Sequence, residues 1–168
     1  MDAYLAIISK REVRSYSDTP LADDALTRIL QAGRATGSSR NRQEWEFIIV
    51  RGQDALTRLA ETVSAPDNVR GCQVAVAVVL TGQPDWDGGR VAQNMMLAAW
   101  ADGIGSCPNT PRDRDACYRI LGVAEDAQIA TLISLGYPQR PIRVDSDPDA
   151  ILRRINRKPL AELVRYVE

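Results

Sequence analysis

The chain has 168 residues, 45% of them hydrophobic and 26% charged, with a formal net charge of −1. That is about one domain of an ordinary globular protein, long enough to bury a core. The charge balance argues against a nucleic-acid binder, and no apolar run reaches the roughly 20 residues that a membrane-spanning helix needs.

The N-terminal stretch MDAYLAIISKR has no basic segment ahead of its apolar residues, so no signal peptide is read and the expected location is the cytoplasm. Residues 3–9 read as an opening helix. Lys10, Arg11 and Arg14 follow within five positions. Cations so close make either a solvated face or a phosphate-sized anion site, and arginine supplies the planar fork that phosphate favours. Residues 21–37 carry a helical period, with Leu21, Ala25, Ile29, Leu30 and Gly33 on one side and acidic residues in the first turn. At Gly37 the helix runs out into Ser38, Ser39, Asn41 and Gln43, and a strand over 45–50 begins. Four polar side chains next to a buried strand suit a ligand loop, although serine, asparagine and glycine are also ordinary turn residues.

A helix is predicted over 54–63, a turn over 64–71 and an almost wholly apolar central strand over 72–80. Gly82 to Gly89, with Pro84, reads as a loop. Residues 90–102 are apolar nearly all round and predict the buried central helix, in which Asn94 must be satisfied in the core or by a ligand. Gly103 to Asn109 reads as a loop, 112–121 as an amphipathic helix and 128–135 as a second central strand. Pro138, Pro141 and Pro148, with Asp145 and Asp147, mark an irregular connection. A second basic cluster, Arg153, Arg154, Arg157 and Lys158, precedes Pro159.

Helices and strands are mixed without strict alternation of strand, helix and strand, which predicts an α+β fold: a mainly antiparallel central sheet flanked by helices on both faces. Neither repeat nor long linker divides the chain, so residues 1–168 are expected to form a single domain. Three cysteines without CxxC spacing point to inert thiols rather than disulfides or a structural zinc. Histidine is absent, which removes histidine-based nucleophilic catalysis and the usual nitrogen ligand for metals. The chemistry is left to a cofactor or to carboxylates.

Five separated segments, in order, resemble the nitroreductase family of flavin mononucleotide (FMN) enzymes. They are Lys10 to Tyr16, Ser38 to Phe47, Ala92 to Cys107, Leu135 to Pro138 and Arg157 to Val164. The resemblance implies a nitroreductase-like fold over the whole chain and a homodimer with flavin sites at the subunit interface. It implies FMN as cofactor, with phosphate and ribityl held by Lys10, Arg11, Arg14, Arg157 and Lys158. Ser38, Ser39, Asn41 and Gln43 would approach the flavin, largely from the other subunit, and backbone from Gly105 and Ser106 to Asn109 would lie along its ring. NAD(P)H would be the co-substrate and a nitroaromatic or quinone-like small molecule the acceptor, in a ping-pong exchange with no catalytic side chain and no metal. The same fold is also compatible with a flavin-destroying, dehalogenating or dehydrogenating reaction, or with flavin binding without turnover. The chain departs from the family pattern at Glu12, where a hydroxyl is usual, and at Gly37 and Glu44, where proline is usual. It also lacks room for helical insertions between the strand at 72–80 and the central helix, which implies a more open site.

Overall fold

The computed structural model describes residues 1–82, 85–142 and 147–167; Pro84 and Asp145 lie outside them. The chain divides into two compact units, residues 1–10 with 143–168, and residues 11–142.

In the first unit, α1 (Ala3–Ser9) packs against α7 (Pro148–Arg154). Aspartates cap both: Asp2 accepts from the Leu5 amide at 2.9 Å and Asp147 from the Asp149 amide at 3.0 Å. After a short turn of helix at Leu160–Glu162, this unit leaves Leu160, Leu163, Tyr166 and Val167 exposed.

The second unit holds the sheet. Strands β1 (Trp45–Val50), β2 (Val74–Leu80), β3 (Gly105–Asn109) and β4 (Gln128–Gly136) pair antiparallel in the order β1-β2-β4-β3. Side chains alternate across a strand, and β2 divides its residues accordingly. Val74, Val76 and Val78 enter one apolar cluster with α2 (Asp23–Arg34) and α5 (Asp85–Ala101). Ala75, Ala77 and Val79 enter another with α3 (Gln53–Ala60) and α6 (Arg114–Leu121). Both faces are covered, which is why β2 is one unbroken apolar run. The predicted α+β layout is the observed one.

Three local expectations differ from the structure. Within the predicted turn at 64–71, Pro66 opens a short helix, α4 (Pro66–Arg70), at the first helical position, where its missing N–H costs nothing. Gly105 to Asn109 forms the edge strand β3 rather than a loop; Pro108 is tolerated because an edge strand need not donate on both sides. Helix α5 begins within the predicted loop and is not buried all round, for Gln93 and Asn94 are exposed. Asn94 is therefore not a core residue: its Nδ2 donates to Thr36 Oγ1 at 2.8 Å.

Candidate functional site

The basic segment is held down by backbone and by one buried phenol. Glu12 forms a parallel bridge with Ser106, and the Val13 amide donates to the Ser106 carbonyl at 3.0 Å. The Tyr16 hydroxyl donates to the Val13 carbonyl at 2.6 Å and shares a 2.9 Å hydrogen bond with Ser134 Oγ. Ser134 in turn donates to the Cys107 carbonyl at 3.2 Å and accepts from Asn109 Nδ2 at 3.2 Å. Asn68 donates to Asn109 Oδ1 at 3.1 Å. A buried polar chain thus runs from α4 through β3 and β4 to the segment that carries Arg11 and Arg14. Burial pushes the Tyr16 phenol far above its ordinary value of 10.0, against the opposing pull of the Ser134 hydrogen bond, so it stays a donor.

Gly105 and Ser106 lie beneath this segment and are buried. A Cβ on Gly105 would fall 2.7 Å from the Val13 Cβ, so only glycine admits the chain so closely. Ser106 Oγ is the one buried side-chain polar atom among the described residues without a hydrogen-bond partner. Unsatisfied buried hydroxyls are uncommon, and this one lies under the arginine-bearing segment. Arg11 and Arg14 are exposed, and Arg140, unmarked in the sequence, lines the same groove of about 450 Å³ as Arg14.

The polar loop lies before β1, at the other edge of the sheet. Arg40, Asn41 and Gln43 all have positive φ, of 54°, 55° and 54°. Non-glycine residues there cost on the order of 1 kcal/mol or more each, and such strain collects at binding sites. Ser38 Oγ holds the loop by accepting from the Gln43 amide at 2.9 Å, and Gln43 Nε2 donates to the Asn41 carbonyl at 3.3 Å. The side chains of Ser39 and Asn41 are exposed and make no hydrogen bond among the described residues. Glu44 has a structural role. Its carbonyl accepts from the Thr81 amide at 3.2 Å, extending the β1–β2 ladder, and its carboxylate sits 3.6 Å from Arg42. Gly82 gives that carboxyl its room, since a Cβ there would lie 2.5 Å from Glu44 Cδ. Beside the loop, a groove of about 410 Å³ between α2 and β1 is floored by Leu30, Trp45 and Phe47, with Gln43 and Arg34 among its lining.

Within the second unit, then, Arg11, Arg14, Gly105 and Ser106 are brought together at the β3 edge, while Ser38, Ser39, Asn41 and Gln43 gather at the β1 edge. Three strand spacings, about 14 Å of sheet, separate the two edges. Lys10, Arg157 and Lys158 belong to the first unit. Lys10 closes α1 through its backbone, and Arg157 and Lys158 are exposed. The buried chain through Asn68, Asn109 and Ser134 had no signal in the sequence, because its members are single polar residues in unrelated elements. A further groove, of about 770 Å³ around Arg114, Tyr118 and Arg119, shares no residue with either group. No helix among the described residues is long and apolar enough to cross a membrane.

Comparison with known proteins gives consistent matches. The model of the Nitroreductase family matches residues 7–66 and 83–137. A protein of Archaeoglobus fulgidus, provisionally named an NADH dehydrogenase/NAD(P)H nitroreductase, is 31% identical over 146 residues, covering 79% of this chain and 83% of its own. A structure from Desulfovibrio desulfuricans, provisionally named a nitroreductase and solved in complex with FMN, superposes with a TM-score of 0.83 at 26% identity. It covers 100% of this chain and 98% of that one. An FMN-dependent nitroreductase from Clostridium difficile shares the fold, with a TM-score of 0.77 at 22% identity over 95% of this chain and 99% of that one.

Proposed function

Since the chain belongs to the nitroreductase family, we propose that it is an FMN-dependent oxidoreductase that takes a hydride from NAD(P)H and passes electrons to a nitroaromatic or quinone-like acceptor. Bound FMN supplies the redox chemistry, accepting from the donor and giving to the acceptor in a ping-pong exchange, so a chain without histidine needs no acid–base side chain of its own.

The residues divide the work of binding. Arg11 and Arg14 are proposed to hold the flavin phosphate; Lys10, Arg157 and Lys158, in the first unit, keep the same proposed role on their charge and on the family resemblance. Ser38, Ser39, Asn41 and Gln43 are proposed to meet the flavin's polar edge, and backbone at Gly105 and Ser106 to support it.

One observation carries this reading: the residues of the second unit proposed to bind the flavin form two groups, at opposite edges of one sheet. A homodimer in which the loop of one copy meets the basic segment of the other would complete the site. The exposed apolar side chains of the first unit are surface that such an assembly would cover. Three free, buried cysteines suit a reducing compartment, and the proposed location is the cytoplasm.

The test is spectroscopic. The purified protein should carry, or gain on incubation with FMN, a flavin absorbance that NAD(P)H bleaches without oxygen and an added quinone restores. A protein that takes up no FMN overturns the reading. Bound flavin that neither NADH nor NADPH reduces would leave a flavin-binding protein without turnover.

A further inference from the structure

We propose that Arg140 and Arg14 form a paired-guanidinium clamp for a phosphate monoester, with Arg140 a binding residue. The segment from Ser15 to Ser17 pairs antiparallel with Tyr137 to Gln139. Tyr16 bridges Pro138, the Ser17 amide donates to the Tyr137 carbonyl at 2.8 Å, and the Gln139 amide donates to the Ser15 carbonyl at 3.1 Å. A side-chain bond, Ser15 Oγ to Gln139 Oε1 at 2.7 Å, fixes the pairing. Arg14 and Arg140 are the residues just beyond this pairing on its two sides, and both line one groove of about 450 Å³.

Like charges that share one groove repel each other. Among the described residues neither arginine has an ion pair or a side-chain hydrogen bond, and both are exposed. Glu12 lines the same groove, so its charged lining is two cations and one carboxylate. An anion that takes both forks relieves the repulsion and gains bidentate hydrogen bonds. The groove is larger than a bare anion needs and falls within the roughly 300–1,000 Å³ of small-molecule sites. Val13, Pro138 and Ile142 give it an apolar wall for the carbon chain of an ester. The ligand class is therefore a phosphate monoester on a carbon chain; that its bearer is FMN rests on the function proposed above.

The measurement is the dissociation constant of the full-length protein, freed of flavin, for FMN and for riboflavin, which lacks the phosphate. Arg140→Gln should weaken FMN by roughly ten- to a hundredfold, the scale of a lost charge-assisted hydrogen bond, and riboflavin by less than about twofold. Arg140→Lys should fall between, keeping the charge without the fork. An FMN affinity unchanged in Arg140→Gln, or an equal loss for both flavins, overturns the clamp. If the wild type binds neither flavin, the proposed function fails while the clamp is still read on inorganic phosphate. Phosphate should then raise the thermal unfolding midpoint of the wild type but not of Arg140→Gln, and an equal rise in both overturns it.

Discussion

The hydroxyls of Tyr16 and Ser134 lie 2.9 Å apart in the protein interior, and they join a segment with almost no regular structure to the C-terminal part of the central strand β4. Tyr16 also caps the Val13 carbonyl, so the arginines on either side of Val13 hang from a buried anchor. Tyr16→Phe removes the hydroxyl and keeps the ring. The expected cost is about 1–3 kcal/mol, from leaving buried partners unsatisfied, with faster release of bound flavin. Urea unfolding and flavin dissociation rates check it. Wild-type values for both would mean that the backbone contacts of Glu12 and Val13 with Ser106 are sufficient.

The close approach at Gly105 gives a steric prediction. A Cβ there overlaps Val13, so Gly105→Ala should destabilise by about 1–3 kcal/mol and lower flavin occupancy. Gly89 is the control. It lies in helix α5, and a Cβ added to it would meet nothing within 4 Å, so Gly89→Ala should be neutral or stabilise by about 0.5–1 kcal/mol. The denaturation midpoint should fall in Gly105→Ala and hold or rise in Gly89→Ala.

Stability should fall at alkaline pH. Burial pushes the Cys72 thiol from its ordinary 9.0 up to about 12, and pushes Cys117 and Tyr16 up as well. Between pH 9 and 12 the folded chain keeps the Cys72 proton that the unfolded chain loses, so the stabilisation is full below pH 9 and drains away as pH rises. Unfolding free energies measured from about pH 7.5 to 11 should decline, and Cys72→Ala should flatten the slope while lowering stability overall. The same protonation should keep Cys72 slow to alkylate until the protein unfolds.

Glu12 stands where a carboxylate opposes the binding of an anion. Glu12→Gln should tighten FMN by about two- to fivefold, the scale of an exposed charge interaction, with the gain shrinking in high salt. Weaker binding in the variant would instead make Glu12 a contributor to the site.

Asn41 separates ligand contact from backbone strain. At φ 55° alanine is strained and glycine is not, so Asn41→Ala should be less stable than Asn41→Gly by about 1 kcal/mol. Both lose the amide, and both should bind FMN more weakly than the wild type. Wild-type occupancy in either would return Asn41 to the role of a turn residue.

Much of the fold was legible in the sequence because it depends on local pattern. The β-branched run of β2 and the period of α2 each report their own burial, and the helix predicted over 54–63, which ends at Ala60, buries Leu56, Leu59 and Ala60 as its spacing requires. Strand β3 was not legible. Its Gly-Ser-Cys-Pro-Asn composition is that of a loop, and only pairing with β4 makes it a strand. Asn94 was misplaced for a related reason. Helical spacing says which residues share a face, but not which face the neighbouring elements leave open.

The candidate site divides along the same line. Residue chemistry by itself determined the two basic clusters and the polar loop, and the absence of histidine left the chemistry to a cofactor or to carboxylates, since charge, hydrogen-bonding capacity and composition are properties of the chain. Tertiary structure decided that the basic segment lies over Gly105 and Ser106, that Arg140 shares a groove with Arg14, and that the polar loop sits at the far edge of the sheet. Those are matters of register and strand order, which arise when distant segments pair and leave no mark on the periodicity of either one.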